Sequence, residues 1–148
     1  MLSTTAATSD KSPDLLSSRE INHVVVLGAN GAMGHGSGAL FTTVVPRVTF
    51  LARTKEKADG GLAAAVKMVR SSTVANRVDT GSYDADFDRV VAEADLIFEA
   101  VTEQLDLKKE FFDRIDAVRR PDSIVATVTS GLSINQLAEG RSDSFRKN

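Results

Sequence analysis

Apolar and polar positions alternate along this chain in blocks of two kinds. Residues 23–27 (His-Val-Val-Val-Leu) form a short run of β-branched and apolar residues, as a central parallel strand covered on both faces requires. A small-residue turn follows at 28–34, and residues 32–44 then read as a helix that Pro46 ends. Residues 48–51 (Val-Thr-Phe-Leu) predict a second strand. Thr54 is placed as the N-cap of a helix over 55–70, rich in Ala, Lys and Val. A weak strand is predicted near 77–81, and a short helix over 84–94 with Phe87, Val90 and Val91 on one face. Residues 95–101 (Asp-Leu-Ile-Phe-Glu-Ala-Val) read as a strong strand. Residues 105–118 carry Leu107, Phe111, Phe112, Ile115 and Val118 at helical spacing, and 124–129 predict the fifth strand. Ser133 and Gln136 have the form of a capping box that opens a further helix.

Strands alternating with helices imply an α/β fold of the Rossmann type, a doubly wound parallel sheet incomplete at its C-terminal end. The chain divides into a Ser/Thr-rich leader at 1–20, expected to be disordered, and a dinucleotide-binding domain at 21–148. Composition narrows the chemistry. With 18 basic and 20 acidic residues, nothing points to nucleic acid or an anionic membrane as a partner. The absence of cysteine removes disulfides, thiolate metal sites and cysteine nucleophiles, and no metal site is expected. No apolar run approaches the roughly 20 residues of a membrane span. The leader lacks the basic and apolar regions of a signal peptide, so a cytoplasmic location is expected.

The turn carries the first functional signal. Gly28, Gly31 and Gly34 follow a strand and open a helix. Glycine there permits a tight turn, lets the backbone approach a pyrophosphate, and lets the helix pack close to the strand. The helix N-terminus adds free N–H groups for the phosphates. A flexible Gly/Ala loop would explain the turn but not the flanking strand and helix. The spacing has one residue more before the second glycine than the usual G-x-G-x-x-G. The acid that an NAD enzyme places about 20 residues on, against the adenosine ribose, is also missing. Ala52 and Arg53 stand there, with Lys55 and Lys57 nearby. Arg53 could pair with a 2′-phosphate or stack on adenine, which favours NADP; as a solvated strand-end charge it would favour neither cofactor.

The later strands point to a family. Residues 95–105 (Asp-Leu-Ile-Phe-Glu-Ala-Val-Thr-Glu-Gln-Leu), with Lys108 and Phe111-Phe112, resemble the D-L-V-x-E-A-V-x-E-x-x-x-x-K pattern of the 3-hydroxyacyl-CoA dehydrogenases. Residues 129–134 (Thr-Ser-Gly-Leu-Ser-Ile) are similar to that family's N-T-S-S-L-S-I segment, and Gly31-Ala32-Met33-Gly34 to its G-x-M-G. The resemblance covers residues 22–148. It implies oxidation of an L-3-hydroxyacyl-CoA to the 3-oxoacyl-CoA, as in fatty acid β-oxidation, with NAD as cofactor and NADP as the alternative. It implies that Gly28, Gly31, Ala32, Met33 and Gly34 hold the pyrophosphate. Glu103 and Lys108 would lie beside the nicotinamide end, and Ser130 near nicotinamide and the substrate oxygen. Read without the family, Glu103 is a first-turn acid, Lys108 an exposed helix lysine and Ser130 a loop residue. The family's acid after strand two falls on Ala52, and its Asn before the Thr-Ser pair on Val128. The insert that touches CoA is short here, with Ala63-Ala64-Ala65 in place of polar contacts.

The resemblance also implies a catalytic histidine on the strand after the fifth, then a helical domain supplying dimer contacts and part of the acyl-CoA site. The chain is therefore expected to be truncated before its base, with no catalytic residue of its own. His23 reads as structural, and His35 as facing phosphates or solvent. Two other readings stay open: another NADP-dependent β-hydroxyacid dehydrogenase or reductase, and a non-catalytic dinucleotide-binding module.

Overall fold

The computed structural model describes residues 19–148; most of the expected leader lies outside them. Five parallel strands form one sheet in the order β3-β2-β1-β4-β5. These are β1 (His23–Leu27), β2 (Arg47–Ala52), β3 (Val78–Ser82), β4 (Leu96–Glu99) and β5 (Ile124–Thr127). Between and after them run α1 (Ala32–Val44), α2 (Lys55–Val69), α3 (Tyr83–Glu93), α4 (Leu105–Val118), α5 (Ile134–Ala138) and α6 (Asp143–Lys147). A 3-10 turn, Ser72–Arg77, leads into β3.

The unbroken apolar run of β1 is explained by two cores, one on each face of the sheet. Val25 and Leu27 join Leu51, Phe87, Ile97, Phe112 and Ile115 beneath α3 and α4. Val24 and Val26 join Val48, Phe50, Ala39, Ala58 and Ala65 beneath α1 and α2. All of Val24–Val26 is sealed from water, so neither face could tolerate a polar residue. The register sets Val25 beside Thr49 on one flank and Ile97 on the other. Strand order reverses between β1 and β4, which opens a crevice at their carboxyl ends.

Helix caps follow the sequence. The Thr54 side chain accepts from the Lys57 N–H at 3.3 Å, and Ser133 accepts from Gln136 N–H at 3.4 Å. Two strands are shorter than their apolar runs suggest. Asp95 does not extend β4; its carboxylate accepts from the Asn22 and His23 N–H groups, both at 2.9 Å. Val101 leaves the strand because its N–H turns back to Glu99 Oε1 at 2.7 Å. β5 ends at Thr127, whose hydroxyl takes the Thr129 N–H at 3.2 Å. The periodicity also misses α6. It is held by Phe145 against Phe112, and by Arg119, which donates to the Ser123 and Ser144 hydroxyls, both at 3.1 Å.

His23 is structural, as its position suggests. It is buried, and its Nε2 lies 2.8 Å from Thr49 Oγ1 across the β1–β2 pair. Burial, with Arg47 nearby, lowers its pKa below the ordinary 6.5. A depressed histidine pKa favours the neutral native form. Its stabilisation is present above the unfolded pKa and is lost as pH falls through the folded one. Urea unfolding should therefore show stability falling as pH drops through the ordinary value of 6.5, a loss that shrinks in His23→Gln. Equal pH slopes for the two proteins would remove His23 as the cause.

Candidate functional site

The carboxyl ends of β1, β2 and β4 surround a cleft of about 520 Å³, lined by Gly28, Gly31, Arg53, Tyr83 and Val101 among others. Its floor is the glycine turn. Gly28 has φ +77°, and a Cβ there would lie 2.4 Å from the Ala100 carbonyl oxygen. A Cβ on Gly34 would lie 2.0 Å from the Gly28 carbonyl oxygen, so helix and strand meet backbone to backbone. Both positions exclude any side chain. Gly31 is the N-cap of α1 in an extended conformation, with no side-chain cap and no acidic residue in the first turn. The opening N–H groups at Ala32, Met33 and Gly34 therefore have no side-chain acceptor and suit an anion. Ala32 and Met33 are themselves exposed.

One wall of the cleft is cationic. Ala52, at the end of β2, is buried and presents no carboxylate. Arg53 and Lys57 both line the cleft, whereas Lys55 turns away to pair with Asp59 at 3.0 Å. Arg114 also lines it, tied to Asp88 at 3.0 Å and stacked 4.1 Å over Phe87. Glu110 is the acid on that rim. A smaller hollow of about 310 Å³ at the β2–β3 edge has its charges already paired, Arg47 with Asp79 and Arg89 with Asp86. It offers no free charge to a ligand.

Beyond the turn, a polar network ties β4 to β5. Lys108 is fully buried, which corrects its reading as an exposed helix lysine. Its ammonium donates to Glu99 Oε1 at 2.7 Å and to the Val101 carbonyl at 3.2 Å, and lies 3.4 Å from Glu103 Oε2. Glu99, equally buried, takes the Thr127 hydroxyl on its other oxygen. Glu103 accepts from the Thr129 hydroxyl, from Ser130 N–H at 3.3 Å and from Gly131 N–H at 3.2 Å. The Thr129 hydroxyl, then the Gly131 N–H and Lys108, outweigh desolvation and hold Glu103 below the usual carboxylate range.

Glu103, Lys108 and Ser130 are thus brought together, and Gly28, Gly31, Ala32, Met33, Gly34 and Arg53 gather at the neighbouring strand ends. His35 is half-buried in α1, and its Nδ1 is buried without a hydrogen-bond partner among the described residues. Glu99 and Tyr83 escaped the sequence reading. Glu99 had a signal, a lone acid in an apolar strand. Tyr83 had none, since nothing in spacing ties it to the turn 55 residues earlier.

Residues 23–146 match the family model described as the NAD-binding domain of 3-hydroxyacyl-CoA dehydrogenase. The chain belongs to the 3-hydroxyacyl-CoA dehydrogenase family. It is 30% identical over 141 residues to a pig mitochondrial hydroxyacyl-coenzyme A dehydrogenase, covering 84% of this chain and 45% of that protein. It is 42% identical over 69 residues to a probable 3-hydroxyacyl-CoA dehydrogenase of Bacillus subtilis, covering 47% of this chain and 9% of that one. The crystal structure of a Ralstonia eutropha (S)-3-hydroxybutyryl-CoA dehydrogenase superposes with a TM-score of 0.72 at 25% identity, over 84% of this chain and 47% of that one. The chain therefore spans less than half the length of these relatives. Among the described residues no helix is long and apolar enough to cross a membrane.

The buried pair makes a direct prediction. Lys108→Met strands the Glu99 carboxylate in the core and should cost about 3–5 kcal/mol in urea unfolding, with most of it recovered in the double variant Glu99→Leu/Lys108→Met. A single variant as stable as the parent would mean that Glu99 finds another partner.

Proposed function

We propose that this chain is the dinucleotide-binding portion of an NAD(P)-dependent 3-hydroxyacyl-CoA dehydrogenase, an oxidoreductase converting L-3-hydroxyacyl-CoA to 3-oxoacyl-CoA. The observation that supports this best is the uncapped N-terminus of α1 at the sheet's switch point, facing a cleft with Arg53 on one side. The pyrophosphate sits on Gly28, Gly31, Ala32, Met33 and Gly34. Beyond it, Glu103 is fixed by the loop after β5 with its second oxygen toward Lys108, and Ser130 stands at the mouth of that loop. These residues orient the nicotinamide end and the substrate oxygen, with Lys108 acting through Glu103 and Glu99. The nicotinamide, when bound, accepts the hydride.

The alcohol proton needs an acceptor that these residues do not supply. His23 is bonded to Thr49 at the amino end of β1, opposite the cleft, and His35 lies half-buried in the first turn of α1. This part of the protein binds cofactor, and the base, most acyl-CoA contacts and the dimer contacts of the whole enzyme lie on other residues. The absent acid after β2 supports NADP as a second reading of the cofactor, because Arg53 and Lys57 present charge where a 2′-phosphate would stand.

Calorimetric titration with NADH and NADPH tests both points. The folded chain should bind a reduced dinucleotide, and Arg53→Asp should move the affinity ratio toward NADH by about tenfold or more. Failure of the folded chain to bind either cofactor would sink the reading. A ratio that does not move makes Arg53 a surface charge.

A further inference from the structure

Tyr83, the first residue of α3, reaches across the cleft to the glycine turn. Its phenolic oxygen accepts the Gly28 N–H at 2.8 Å. Its ring is held edge-on against Phe111, with centroids 4.9 Å apart, and against Phe87 at 6.4 Å. The hydroxyl is therefore fixed in place by both ends of the side chain. Its own hydrogen has no acceptor among the described residues, although the residue lines the same cleft as Gly31 and Arg53. Gly28 N–H does not depend on it alone, since the Leu51 carbonyl lies 3.2 Å away.

We propose that Tyr83 contacts the cofactor: its O–H, with the oxygen held by Gly28 N–H, donates to a pyrophosphate oxygen of the dinucleotide seated on the turn. The proposal rests on the dinucleotide reading above and adds a recognition residue to that site. A backbone N–H that donates to a hydroxyl makes that hydroxyl a stronger donor in turn, and an anionic oxygen gains most from it. Pyrophosphate is the ligand part that carries such charge beside a glycine turn and a helix N-terminus. Burial pushes the phenol up to about 12, so it stays protonated and able to donate throughout the physiological range. Being neutral, it extends the phosphate cradle without adding charge to a rim that already carries Arg53.

Tyr83→Phe tests this, because it keeps the ring on Phe111 and leaves Gly28 N–H with Leu51. ADP-ribose, which has the adenosine and pyrophosphate but no nicotinamide, is titrated by calorimetry; adenosine, which lacks phosphate, by NMR at millimolar concentration. The variant should lose about ten- to hundredfold in affinity for ADP-ribose and keep its affinity for adenosine. Unchanged ADP-ribose binding would overturn the proposal, whatever happens to thermal stability. Equal losses for both ligands would also overturn it, since they mark a residue that only shapes the cleft. Wild-type chain that binds neither NADH nor ADP-ribose would instead overturn the dinucleotide reading beneath it.

Discussion

Four pieces of backbone meet at residues 28–34, and they can do so only where side chains are missing. The end of β4 presses on Gly28, and the start of α1 presses on Gly28 through Gly34. The second helix joins them: a Cβ on Gly61 would lie 2.3 Å from the Ala29 carbonyl oxygen. Because α2 is seated directly on the turn, its first turn brings Lys57 to the rim of the cleft. The close approach of β1, α1, α2 and β4 therefore fixes the glycine floor of the cleft and its cationic wall together. The two hydrophobic cores hold this junction from either face, with no polar side chain on β1 between His23 and the turn.

A second constraint acts on the far side of the same crevice. A fully buried lysine and glutamate are tolerable only as a pair with further hydrogen bonds, and Lys108 and Glu99 have them through Val101, Thr127 and Glu103. The pair joins α4 to β4 and β5, and it bends Val101 out of the strand. Glu103 then gathers the N–H groups of Ser130 and Gly131, so the loop after β5 is held by a charge network as well as by Leu132 packed on the core. Lys108 is buried and reaches that loop through Glu103.

Much of the fold was legible because local and global signals agree. The apolar run of β1 predicts a strand covered on both faces, and the structure covers it. Thr54 and Ser133 announce their helices by capping chemistry that depends on neighbours only three residues away. The glycine turn is legible for the same reason. What sequence pattern could not show is long-range. Lys108 looks like a surface residue on a charged helix until Glu99 is seen beneath it. β4 and β5 end early because side chains of Glu99 and Thr127 capture backbone N–H groups that periodicity assigns to the sheet. α6 is held by Phe112 and Arg119, both remote in sequence, and Tyr83 meets Gly28 only once β3 has been threaded to the sheet edge.

The three glycines of the turn also separate by cause. Gly28 and Gly34 are required by the fold. At Gly31 the backbone is extended, at φ −80° and ψ 160°, and a Cβ would meet only the Gly28 carbonyl oxygen at an ordinary 3.5 Å. Nothing among the described residues demands glycine there, and under the proposed function its bareness leaves the backbone open to a ligand. Gly31→Val should unfold in urea within about 1 kcal/mol of the parent, because any residue can adopt that conformation. The same folded protein should show no NADH or NADPH binding by calorimetry. A Gly31→Val chain that binds the dinucleotide as the parent does would show that the turn is not its phosphate floor.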